Sequence, residues 1–184
     1  MIKKVIVIFI FILFIKPAQA KENTMILKLK DGNVIIELFS DVAPNHVKRF
    51  KQLTNEKKYD GVVFHRVIDG FMAQTGDVEF GNSNLESYDI RRAGTGGSEY
   101  PNLKAEFSNI PHERGTISMA RSASPDSANS QFFICFKSTP SLDRQYTVFG
   151  KVVKGMEFVD LIKRGEGSNG EVSNPDKIIS LSAK

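Results

Sequence analysis

The segment Phe64-His65-Arg66-Val67-Ile68-Asp69-Gly70-Phe71-Met72-Ala73-Gln74 sets Asp69-Gly70 between two short β-rich runs, 62–68 and 71–75. A two-residue Asp-Gly between such runs is a strong hairpin signal, because both residues tolerate the turn's positive φ angles. This hairpin carries an unusual load: an arginine, a histidine, a glutamine, a methionine and two phenylalanines within eleven residues. Such a mixture suits a surface that grips a small apolar group while aiming hydrogen bonds at it.

Outward from this hairpin the chain keeps the same character. Runs 25–30 and 34–38 flank Asp31-Gly32-Asn33, a second hairpin. Further strands are expected at 115–121, 131–135, 146–153 and 177–181. Alternation in the run 131–135 places Gln131, Phe133 and Cys135 on one face and Phe132, Ile134 and Phe136 on the other. Two helices interrupt the strands. Pro44 suits the first helical turn, and Val47, Phe50 and Leu53 form an apolar stripe that runs out near Asn55. Met156, Val159 and Ile162 form a second stripe, with Gly165 as its expected C-terminal cap. Residues 76–111 show little periodicity, and an ordered loop of that length is usually functional or packed over something. Gly94-Thr95-Gly96-Gly97 is neither G-x-G-x-x-G nor a P-loop, and Pro101 follows where a helix would be needed. About eight strands joined by hairpins, without βαβ crossovers, argue for an antiparallel sheet, closed as a barrel or stacked as a sandwich.

The 184-residue chain suffices for one domain with a substantial core. Its first twenty residues differ from the rest: a basic start, an apolar run at 5–15, then Ala18-Gln19-Ala20. This pattern predicts a cleaved secretory signal peptide over 1–20 and a mature domain over 21–184. Eleven apolar residues at ~1.5 Å each cover about half of a ~30 Å hydrocarbon core, so no stable membrane span is expected. Lys3, Lys4 and Lys16 lie in that segment, so the net charge falls from +4 (25 minus 21) to +1 (22 minus 21). A nearly neutral domain without a basic cluster gives no reason to invoke nucleic acid. Cys135 is the only cysteine, and His46, His65 and His112 are scattered, so neither an internal disulfide nor a metal site is expected.

Five motifs taken together are specific. The 64–74 segment, then Gly94-Thr95-Gly96-Gly97, Ser118-Met119-Ala120, Asn129-Ser130-Gln131-Phe132-Phe133-Ile134 and Val148-Phe149-Gly150-Lys151-Val152 closely resemble, in order, the cyclophilin family of peptidyl-prolyl cis/trans isomerases. The resemblance runs from about Met25 to Leu181. It implies a mainly-β fold, a closed eight-stranded antiparallel β-barrel capped by two α-helices. It also implies an isomerase that needs no cofactor and acts on proline-containing segments of unfolded or exported chains. Carried onto this sequence, it lines a proline pocket with Phe71, Met72, Phe133 and Leu142, and makes Arg66 the catalytic residue, supported by Gln74. His65, Ala120, Arg121 and Gln131 would surround the substrate backbone, Thr95 and Gly96 would border a neighbouring pocket, and Tyr146 would stand at the rim. Two positions depart from the family's cyclosporin-binding pattern: Ser141 replaces a common tryptophan and Tyr146 a frequent histidine. Strict alternation separates Arg66 from His65 and Phe71 from Met72, so gathering them at one site requires a bulge or strong twist in the hairpin. With the signal segment, the resemblance predicts a monomer in a bacterial periplasm.

Overall fold

The computed structural model describes residues 23–184; the expected signal peptide lies outside the described residues. The strands are β1 (Thr24–Leu29), β2 (Gly32–Leu38), β3 (Arg66–Ile68), β4 (Met72–Thr75), β5 (Thr116–Met119), β6 (Phe132–Cys135), β7 (Val148–Lys154) and β8 (Ser180–Ala183). Helix α1 (Pro44–Asn55) follows β2, and the short α2 (Met156–Asp160) follows β7. The strands form one sheet in the order β3-β4-β6-β5-β7-β2-β1-β8, with every pairing antiparallel.

The sheet curls into a half-barrel and its hydrogen-bonded ladder does not close. Its edges, β3 and β8, are not paired to each other. They are shorter and later than the sequence runs suggested, because residues 62–64 bond elsewhere. Val62 bridges to Asn82 and Val63 to Lys177, and the Phe64 N–H donates to the Asp176 carbonyl at 2.8 Å. The expected strand at 177–181 likewise begins only at Ser180.

Two apolar clusters lie on opposite faces of this sheet, as alternation along β6 requires. The large one holds Phe132 and Ile134 with Leu27, Ile36, Ile117 and Phe149, and α1 presses Val47, Phe50 and Leu53 into it. Phe50 packs against Tyr59, Phe149 and Phe132 with ring centroids 5.1–5.3 Å apart. Burying each such ring contributes roughly 1.5–3 kcal/mol, so the predicted stripe is what holds α1 in the curve of the sheet. The small cluster, Met72, Ala120, Phe133 and Cys135, lies on the other face.

Helix α2 ends at Asp160, with Leu161 as its C-cap, so Gly165 is not its cap. Val159 and Ile162 are buried as expected, and Met156 is partly so. At the start of α1 the residue before Pro44 is Ala43, which offers no side-chain cap. Glu106, from the long loop, takes that role. Its carboxylate accepts from the Asn45 and His46 N–H groups at 3.2 and 3.1 Å and from the Asn45 amide at 2.7 Å. A carboxylate there satisfies orphan donors and opposes the positive end of the helix dipole. The aperiodic loop is thus tied down by specific bonds.

Candidate active site

The Asp69-Gly70 hairpin does not bulge. β3 and β4 pair in regular register, Arg66 with Gln74, Val67 with Ala73 and Ile68 with Met72. The extra residue sits in the turn. The Phe71 N–H donates to the Ile68 carbonyl at 3.0 Å, and Gly70 adopts φ +64°. Three residues, Asp69, Gly70 and Phe71, therefore connect the strands. Phe71 is outside the alternation of β4 and joins Met72 on the same patch. His65 likewise precedes β3.

Around Met72 the small cluster is completed by Ala120, Phe133 and Cys135, with Phe71, Leu142, Ile68 and Tyr146 packed at its margin. Phe133 meets the edge of Tyr146 at 5.6 Å and 82°. These residues come from the hairpin, β6, the end of β5 and the 3₁₀ turn Pro140–Leu142. Phe71, Met72, Phe133 and Leu142, assigned to one pocket by resemblance, thus meet in one apolar patch on the outer face of the sheet. Burial pushes the Cys135 thiol up to about 12, so it packs as a neutral thiol.

A polar chain runs beside the patch. The Arg66 Nε donates to the Asn169 carbonyl at 2.9 Å and its Nη1 to Gln74 Oε1 at 3.3 Å. Gln74 Nε2 donates to Gln131 Oε1 at 3.1 Å, and Gln131 Nε2 donates to the carbonyls of Gly94 and Gly96 at 3.0 and 2.8 Å. The chain ends on Asp77, which is fully buried. Its carboxylate accepts four backbone N–H groups, from Glu79, Phe80, Gly94 and Gly96. Gly96 has to be glycine: a Cβ there would stand 2.6 Å from Asp77 Oδ1. Burial lowers the Arg66 guanidinium from its ordinary value, against the opposing pull of Tyr146, and at neutral pH it stays charged.

Next to the patch is a cleft of about 350 Å³ lined by Gln74, Thr95, Gly96, Ala120, Arg121 and Gln131, among others. Ala120 belongs to both the cleft and the apolar patch. Arg121 spans the rim: its Nε and Nη2 donate to the Gln145 carbonyl, each at 3.2 Å, and its guanidinium lies 4.6 Å from the Tyr146 ring centroid.

His65 stands apart. It is buried beneath Gly94 and lines a different hollow, with Ile90, Ala93, Glu166 and Val172 among its neighbours. Neither ring nitrogen has a partner. Burial pushes its imidazole down to about 4, with Arg66 adding to the depression and Asp77 opposing it. Between its ordinary pKa near 6.5 and about 4, the unfolded chain binds a proton that the native state refuses. This contribution to stability is therefore complete above pH 6.5 and lost as pH falls towards 4, about 3 kcal/mol at most. Urea unfolding at pH 7 and pH 4.5 should show a smaller pH-dependent loss for His65→Gln than for the wild-type chain; equal losses would exclude His65 as the source.

Three contributors were not legible in the sequence. Asp77 acts through a carboxylate that collects backbone N–H groups, Asn169 through its own carbonyl, and His112 through contacts with Asp143, Ser118 and Phe133. No spacing signal marks any of them.

Comparison with known proteins agrees with this geometry. The family model described as cyclophilin type peptidyl-prolyl cis-trans isomerase/CLD matches residues 24–183. A Brucella suis protein named "Probable peptidyl-prolyl cis-trans isomerase" is 63% identical over 163 residues, covering 88% of this chain and 83% of that one. Peptidyl-prolyl cis-trans isomerase B of Bacillus subtilis is 43% identical over 141 residues, covering 75% and 89%. Among solved structures, a Cryptosporidium parvum cyclophilin-type isomerase, crystallised in the presence of the dipeptide Ala-Pro, superposes with a TM-score of 0.74 at 25% identity. That match covers 88% of this chain and 98% of the other. The family-model match to residues 24–183 and the 63% identity to the Brucella suis protein, on a half-barrel that carries the apolar patch and braced arginine, place this chain in the cyclophilin-type peptidyl-prolyl cis-trans isomerase family.

Proposed function

We propose that this protein accelerates rotation about X–Pro bonds in exported polypeptides, within a bacterial periplasm and as a monomer. Arg66 serves as the electrostatic catalyst. The observation that carries the reading is the double brace on Arg66. Gln74 and the Asn169 carbonyl hold two of its nitrogens beside the apolar patch, and neither bond uses Nη2, which is left for a ligand.

The barrier to overcome is amide resonance, about 20 kcal/mol. As the bond twists, the proline nitrogen becomes pyramidal and regains a lone pair. A donor aimed at that lone pair binds the twisted state more strongly than either planar isomer, and only such differential binding lowers the barrier. A charged, rigid and already positioned guanidinium suits this task, because little reorganisation is needed at the moment of twisting. Phe71, Met72, Phe133 and Leu142 hold the proline ring, so that rotation carries the preceding carbonyl while the ring stays fixed. Gln131, Ala120 and Arg121 border the backbone. Thr95 and Gly96 border the cleft that takes residues preceding the proline. His65, buried beneath Gly94 and outside both the patch and the cleft, is left out of the substrate contacts. The Ala-Pro dipeptide used with the Cryptosporidium relative is the minimal form of such a substrate and supports the assignment. The basic and apolar start of the chain supports export.

An NMR exchange measurement on a short X–Pro peptide tests the activity: cis and trans signals should exchange faster at catalytic protein concentrations. Saturable binding without faster exchange would make the protein a proline-segment holder. Export is tested by sequencing the N-terminus of the protein recovered from the periplasm, which should begin at Lys21.

A further inference from the structure

We propose that His112 is a positioning residue for the ring-binding patch, acting through Phe133 and through the turn that carries Leu142. His112 is 1% exposed, yet every polar atom of it is used. Its backbone N–H donates to Asp143 Oδ1 at 2.8 Å, and its Nδ1 lies 2.9 Å from the same oxygen. Its Nε2 lies 2.8 Å from Ser118 Oγ, and its carbonyl accepts the Thr139 N–H at 2.7 Å. The tautomer with the proton on Nδ1 satisfies all of these, with Nδ1–H donating to Asp143 and the Ser118 hydroxyl donating to Nε2.

The order Asp143, His112, Ser118 is that of a nucleophilic triad. Burial excludes that use. Ser118 has no exposed surface and pairs across the strands with Phe133, so no substrate reaches its hydroxyl. What the group does instead is structural to the patch. The imidazole stacks on Phe133 at 6.2 Å and 18°, while Tyr146 closes on Phe133 from its own side and Arg121 lies over Tyr146. Phe133 is thereby fixed between two rings. The bonds to Asp143 and Thr139 pin both ends of the Pro140–Leu142 turn to the same histidine. One side chain sets the spacing between two walls of the patch.

This assignment rests on the isomerase reading, because the patch matters only if it holds a proline ring. A positioning role of this kind changes binding of the ring in planar and twisted states alike, so it should alter affinity more than turnover at saturation. The test is peptide titration followed by NMR, with exchange rates measured at saturating peptide. Asp143 is partly exposed, so Asp143→Ala removes the tie without opening the core. It should weaken peptide affinity by about tenfold, shift the Leu142 methyl resonances and change the saturated exchange rate by less than about threefold. Asp143→Asn keeps an acceptor for the two N–H groups and should restore affinity. His112→Asn, which loses the ring stack, should weaken affinity at least as much as Asp143→Ala. Wild-type affinity and unmoved Leu142 signals in Asp143→Ala would overturn the proposal. So would equal losses of affinity and saturated rate. If the wild-type protein binds the peptide without speeding exchange, the isomerase reading fails while the affinity series still decides the role of His112.

Discussion

Replacing Arg66 by alanine is expected to cut kcat/KM for an X–Pro peptide at least tenfold and by as much as ~10³, the range seen when one preorganised donor is removed from a transition state. The reason is local. Arg66 is half-buried on the edge strand β3, and its two bonds end on Gln74 and on a carbonyl of the 166–171 segment. Losing them costs roughly 1–2 kcal/mol of stability, well below what unfolds a domain of this size. Peptide affinity should change little, because the ring is held by apolar contacts that remain. Arg66→Lys should also be poor: it keeps the charge but cannot bond Gln74 and Asn169 at once while presenting a further N–H. The measurement is exchange at saturating peptide, beside a thermal melt of the same sample. A folded Arg66→Ala protein with undiminished exchange would remove Arg66 from the mechanism.

The second large effect is expected at a residue that reaches no substrate. Asp77→Ala would strip the acceptor from four backbone N–H groups at 2.7–3.1 Å in a fully buried site. Each buried donor left without a partner costs about 1–3 kcal/mol, and with partial relief by water the total should be about 3–5 kcal/mol. For a domain of this size that lowers Tm by roughly 10 °C. Activity should fall further than stability alone explains, because the Gly94 and Gly96 carbonyls are what Gln131 Nε2 holds, and Gln131 holds Gln74 against Arg66. Asp77→Asn keeps one acceptor oxygen and should fall between the two. Hydrogen exchange at the Gly94 and Gly96 amides reports the loop directly. Unchanged protection there, with an unchanged melt, would show that Asp77 is not its anchor.

The Val47, Phe50 and Leu53 stripe and the alternation through Phe132–Cys135 are local signals, and each appears as read; the Asp69-Gly70 hairpin forms too, with Phe71 as a third connecting residue. The errors are also local. The strand run at 62–68 shortens to three residues because Val62–Phe64 find partners at Asn82 and at Asp176–Lys177, far along the chain. Of the expected bulge or strong twist, the bulge is absent, and one extra residue in the turn brings Phe71 beside Met72, a difference that propensity cannot distinguish. Gly165 is bypassed because α2 stops at Asp160.

By itself the amino-acid order determined the antiparallel class, the two helical stripes and, through motif resemblance, the family and the residues that meet in its outer apolar patch. Periodicity and turn chemistry are properties of neighbours in sequence, so they are written in the chain. Only the tertiary structure decided that the sheet stays an open half-barrel and that His65 lies under Gly94 away from the cleft. It also decided that Arg66 is braced by a carbonyl 103 residues away and that Asp77, Glu106 and His112 hold the loops. Those roles depend on backbone donors and ring faces brought together from distant segments. A buried carboxylate that collects N–H groups looks, in sequence, like any other aspartate.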